Sequence, residues 1–109
     1  MPRDPGLEEL VRDALAGPAG LTEKPMFGGW AFLLQGNLLC GARSGSLMLR
    51  VGRDNEGWAL DLPGVAPVVM RGRRMHGYVR AAAEAWGDDA IRQRLLAAAV
   101  AFTSSLPRK

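Results

Sequence analysis

Between Met26 and Val51 the chain carries three short apolar runs separated by glycine-bearing turns, and few folds accept that pattern. The runs are Met26-Phe27-Gly28-Gly29-Trp30-Ala31-Phe32-Leu33-Leu34, Leu38-Leu39-Cys40-Gly41-Ala42 and Leu47-Met48-Leu49-Arg50-Val51. Each has the length of a strand rather than of a self-supporting helix. Gly36-Asn37 and Ser44-Gly45 supply the turn chemistry of tight hairpins, so the stretch reads as an antiparallel meander. In the last run Leu47, Leu49 and Val51 should face the core, which places Arg50 on the opposite face, solvated or ion-paired. Gly28-Gly29 within a strand marks a bulge or a close approach of another group, such as the Trp30 indole or the first helix.

The flanks extend this sheet. Asp4-Pro5 is a helix start, a capping carboxylate followed by a proline whose missing N–H costs nothing in the first turn. Leu7, Leu10, Val11, Ala14 and Leu15 recur at helical spacing, with Glu8 and Arg12 placed as an i,i+4 pair, and Gly17-Pro18 stops a helix read over residues 5–16. Residues 18–25 read as a linker. A short middle helix is expected within 52–66, stopped by Pro63-Gly64. Val68-Val69-Met70 and Met75-His76-Gly77-Tyr78-Val79 form a second hairpin around Arg71-Gly72-Arg73-Arg74. A final helix begins near Asp88-Asp89 with the stripe Ile91, Leu95, Ala98, Ala99, Phe102 and Leu106, Arg92 and Arg94 lying off it. Pro107-Arg108-Lys109 reads as a frayed tail. The order α-β3-α-β2-α predicts one α+β domain over residues 1–109, a two-layer sandwich of a five-stranded antiparallel sheet with flanking helices.

At 109 residues, 48% of them hydrophobic, the chain can bury one core without staples. The single cysteine, Cys40, has no internal partner and reads as a small apolar strand residue, which suits a reducing cytoplasm. No secretory leader or membrane-length apolar run is apparent, and a soluble cytoplasmic protein with no membrane contact is expected.

The net charge is +3, concentrated in residues 43–80, where seven arginines face Asp54, Glu56 and Asp61. The tip at Arg71, Arg73 and Arg74, with His76 behind it, is the candidate surface for phosphates or an acidic protein, and Arg50 is a further candidate. One histidine, one cysteine and scattered carboxylates supply no pairing for acid–base, nucleophilic or metal chemistry. No catalytic residue, metal or cofactor is therefore expected.

The ordered set Met26-Phe27-Gly28-Gly29, Leu47-Met48-Leu49-Arg50-Val51 and Arg74-Met75-His76-Gly77-Tyr78 resembles the amino-terminal domain of the TfoX/Sxy competence regulators, over roughly Leu21 to Phe102. It departs from that pattern at Trp30-Ala31, at Gly52-Arg53 and at Val79-Arg80-Ala81, and no carboxy-terminal helical domain accompanies it. The resemblance implies a stand-alone domain with a sheet like that of secretion chaperones and no catalytic residues to transfer. It implies a non-enzymatic regulatory role through protein contacts, a second copy of the chain among the candidate partners. The alternative is nucleic-acid binding through the basic hairpin.

Overall fold

A computed structural model of the chain describes residues 4–15, 20–26 and 28–107. Its elements are α1 (Pro5–Ala14), β1 (Leu21–Met26), β2 (Gly29–Leu34), β3 (Asn37–Arg43), β4 (Ser46–Arg50), α2 (Arg53–Leu60), β5 (Val65–Met70), β6 (Arg73–Ala81), α3 (Ala83–Trp86) and α4 (Asp89–Ser104). The strands form one antiparallel sheet in the order β1-β2-β3-β4-β6-β5. No helix among the described residues is long and apolar enough to cross a membrane.

The α+β architecture agrees with expectation, but the sheet has six strands rather than five. The additional one is β1, which falls in the stretch read as a linker. Leu21-Thr22-Glu23-Lys24-Pro25-Met26 is polar and contains a proline, which a ladder tolerates at its edge, and β1 is an edge. Glu23 fixes it. Its carboxylate receives both Nε and Nη2 of Arg12 at 2.9 and 2.7 Å, and Trp30 Nε1 at 2.7 Å. Arg12 thus reaches across to β1, while the charge of Glu8, four residues earlier on its own helix, also acts on it. The first helix starts as read, Asp4 capping the Leu7 amide, while its expected stop at Gly17-Pro18 lies outside the described residues.

Gly28-Gly29 is a turn and a strand start, not a mid-strand pair. Gly28 takes φ +75° between β1 and β2, and a Cβ on Gly29 would collide with the Ala42 carbonyl oxygen and approach the Arg43 Cβ to 2.8 Å. The close neighbour is therefore the end of β3, not the indole or α1. The β1–β2 register is unbroken, and the irregularity falls instead in the β2–β3 pairing, between Phe32 and Leu33. The turns at Gln35-Gly36 and Ser44-Gly45 have both central residues at positive φ, as two-residue hairpins of matching twist require.

One row of each strand meets the helices. Phe32, Cys40, Leu49 and Val79 lie in register across β2, β3, β4 and β6 and are all completely buried, with Leu7, Val11, Leu95 and Ala99 above them. Burying such side chains contributes roughly 1.5–3 kcal/mol each. Arg92 also sits in the buried surface of α4, against expectation. It donates to the Trp86 carbonyl and to Asp89, each at 2.8 Å, and so ties α3 to α4. Pro107 is held too, its carbonyl accepting from Asn37 Nδ2 at 3.0 Å; Arg108 and Lys109 lie outside the described residues.

A candidate binding cleft at the β4–α2 corner

The site begins with a break in the ladder between β5 and β6. Pro67 pairs with Val79, yet Val69 pairs with Arg74, so β6 spends Met75, His76, Gly77 and Tyr78 where β5 spends Val68 alone. Such an excess bends the longer strand out of the ladder. Here the excursion runs into the corner where β4 becomes α2.

Gly77 makes the junction. At φ +89° its carbonyl accepts from both Val51 and Gly52 at 2.9 and 3.0 Å, and its amide donates to Glu56 Oε1 at 2.7 Å. Gly52, at φ +88°, turns the chain into α2, and a Cβ there would stand 2.5 Å from the Phe102 ring. Both positions need glycine: left-handed backbone at each, and no room at Gly52.

Glu56 is buried and gathers the excursion around it. Besides the Gly77 amide it accepts from Arg74 Nη2 at 3.2 Å, and His76 Nδ1 lies 3.6 Å away. Burial pushes this carboxyl up, but the Gly77 amide and the Arg74 guanidinium outweigh it, and its pKa falls below the ordinary carboxylate value.

These contacts leave an open cleft of about 570 Å³, with Arg50, Gly52, Arg53, His76, Tyr78 and Phe102 on its walls. The Arg50 guanidinium lies 5.6 Å from the Tyr78 ring and 5.5 Å from that of Phe102. Cation–π contact of this kind orients the cation without consuming its in-plane N–H donors. No carboxylate among the described residues lies within ion-pair distance of Arg50. Asp54 and Asn55 also line the cleft, and no side chain caps the amides at the start of α2.

The five candidate residues are thus divided. Arg50 and His76 share the cleft, and Arg74 is engaged with Glu56 behind it. Arg71 belongs to the β5–β6 turn with Gly72, while Arg73 already lies in β6; both side chains are exposed at the tip. Sequence reasoning missed Gly52, Glu56 and Phe102. A glycine after His76 in an otherwise regular strand was a readable sign of a bulge, but nothing in the sequence places Phe102 against Arg50.

Cys40 and His76 are not brought together. Cys40 is fully buried in the core, where burial pushes its thiol up, and it does not line the cleft that holds His76. Among the described residues no group of His, Cys, Asp or Glu side chains could hold a metal ion.

No curated protein and no solved structure matches the chain. Residues 13–103 match the TfoX N-terminal domain, a span that takes in all six strands and every wall of the corner cleft. The chain belongs to the TfoX N-terminal domain family.

Proposed function

We propose that the domain is a non-catalytic regulatory module of the reducing cytoplasm that binds a protein partner, seating an acidic side chain or terminus of that partner on Arg50. The observation that carries this reading is the guanidinium resting against the Tyr78 and Phe102 rings with no ion-pair carboxylate among the described residues. A charge-assisted hydrogen bond to it contributes about 1.5–3 kcal/mol, on the order of ten- to a hundredfold in affinity. Selection of a displayed random peptide library on the wild-type domain tests it. Acidic residues should be enriched, and Arg50→Ala should weaken the selected peptides at least about tenfold at unchanged thermal stability. Peptides without acidic residues, or binding indifferent to Arg50→Ala, overturn the reading.

A second reading, nucleic-acid binding, draws on the exposed Arg71 and Arg73 at the β5–β6 tip. It requires duplex binding that weakens steeply with salt, with a slope reduced by about one for each arginine removed. Duplex binding without that dependence eliminates it.

A further inference from the structure

All four helices pack on one face of the sheet, yet the opposite face is not bare. Ala31, Leu33, Met48 and Val68 are buried and stand outside the main core cluster. Ala31 and Met48 belong to the row that runs through Gly41 and Arg80, opposite in pleat to the row of Phe32, Cys40 and Leu49. A flat six-stranded sheet would set its edges roughly 24 Å apart and leave a small side chain such as Ala31 open to water. Here Met26 of one edge strand and Met70 of the other line the same groove, so the sheet curls around that face.

The groove between them is mostly apolar, and the described residues do not fill it. Met26, Leu38, Met48 and Met70 surround a floor at Gly41, and the free volume is about 50 Å³. That exceeds what one water needs and falls short of the roughly 150 Å³ of a benzene-sized cavity, so it suits an aliphatic tip rather than an indole. Among the described residues a Cβ on Gly41 would have only the Trp30 carbonyl oxygen nearby, at 3.8 Å, so the floor is open toward the groove. Methionines are adaptable walls for such a contact.

Arg43 and Arg80 also line it. Arg80 Nη1 donates to Ser46 Oγ at 3.2 Å, and no carboxylate among the described residues lies within ion-pair distance of Arg80. Burial and the Arg43 charge both pull its pKa down, the mark of a cation held near another cation and partly out of water. A two-fold contact between copies of the chain over this patch would gather both arginine pairs together, which disfavours a second copy as occupant.

We infer that this groove takes an aliphatic side chain of an acidic protein segment, with a neighbouring carboxylate of that segment paired to Arg80. The site lies on the other face of the sheet from α4 and does not rest on the corner cleft. N-acetyl-leucine serves as the probe and N-acetyl-leucinamide as its uncharged control, followed through the ¹³C-methyl resonances of the methionines. Met26, Met48 and Met70 should shift on titration while Met75, which does not line the groove, stays still. The acid should bind at least about fivefold tighter than the amide. Arg80→Gln should erase that difference and Gly41→Leu should abolish both responses. Gly41 has no positive φ, and a melting curve checks that the leucine variant folds; Arg80→Gln carries the test if it does not. Absence of methionine shifts, or equal binding of acid and amide, overturns the inference. So does a shift produced by raising the protein concentration alone, which would make a second copy the occupant. The corner cleft has no methionine in its walls, so failure here is separable from failure of the proposed function.

Discussion

If Glu56 is the post around which β6 is bent, replacing it should cost far more than its place on a short polar helix suggests. Glu56→Ala leaves the buried Gly77 amide without its 2.7 Å acceptor. A hydrogen bond to a charged acceptor contributes about 1.5–3 kcal/mol, and an orphaned buried donor costs a similar, overlapping amount. Arg74 and His76 are 44% and 48% exposed and return to water, so their share is at most about 1 kcal/mol. Together the loss should be about 3 kcal/mol, or on the order of 10 °C in melting temperature for a domain of this size. Glu56→Gln keeps an oxygen for Gly77 and loses only the charge, and should cost about 1–1.5 kcal/mol. The folded-state pKa of Glu56 is depressed, so the carboxylate's contribution is fully present above the ordinary carboxylate pKa and fades as pH falls through the lower folded value. Urea unfolding of wild type and Glu56→Gln should therefore show a gap near pH 7 that narrows progressively as the pH is taken below the ordinary carboxylate range. A gap below about 0.3 kcal/mol at neutral pH, or one that persists in acid, would refute the assignment of Glu56 as a charged anchor.

Gly52→Ala should lower stability by about 2 kcal/mol, because it adds a Cβ to left-handed backbone and displaces the Phe102 ring; equilibrium unfolding reads this, and an unchanged midpoint denies the contact. Cys40 should resist a thiol-alkylating reagent in the folded protein and react at least about a hundredfold faster in urea, since the thiol is buried and its ionisation is suppressed by that burial. Edge strand β5 carries no charge and exposes Val69 to 59%, leaving Pro67 as its guard. Pro67→Thr should make self-association visible by light scattering at concentrations where wild type shows less of it, and an unchanged mass rules out that edge as the route to a second copy.

Where residues speak through local physics, the sequence was legible. Asp4-Pro5 announces a capped helix, and the hairpins at Gly36 and Gly45 follow from the backbone twist their turns must match. Strand β1 escaped notice because its anchoring is remote. Glu23 is one polar residue among several until Arg12 and Trp30 converge on it, and an edge strand need show no apolar alternation. The arginines escaped correct grouping for a related reason. Arg71, Arg73 and Arg74 are neighbours in sequence, but alternation along β6 and the pull of Glu56 separate Arg74 from the tip. Arg50 and His76 are distant in sequence and meet only because β4 pairs with β6 and the excursion at Gly77 turns toward α2.

That excursion is where fold and site become one problem. A regular β6 would continue its pairing with β5 past Val79, the Gly77 carbonyl would serve that ladder, and Val51 and Gly52 would lose their shared acceptor. The start of α2 would then lose that anchor beneath Phe102, and Arg50 would keep its cross-strand neighbour Tyr78 while the Phe102 ring lost its fixed place beside Gly52. The half-buried guanidinium thus depends on a strand irregularity. That irregularity depends in turn on a glycine at φ +89° and a buried carboxylate to receive its amide. Substitution at Gly77 or Glu56 should consequently disturb the corner cleft before it disturbs the core, because the buried row through Phe32, Cys40, Leu49 and Val79 includes neither residue.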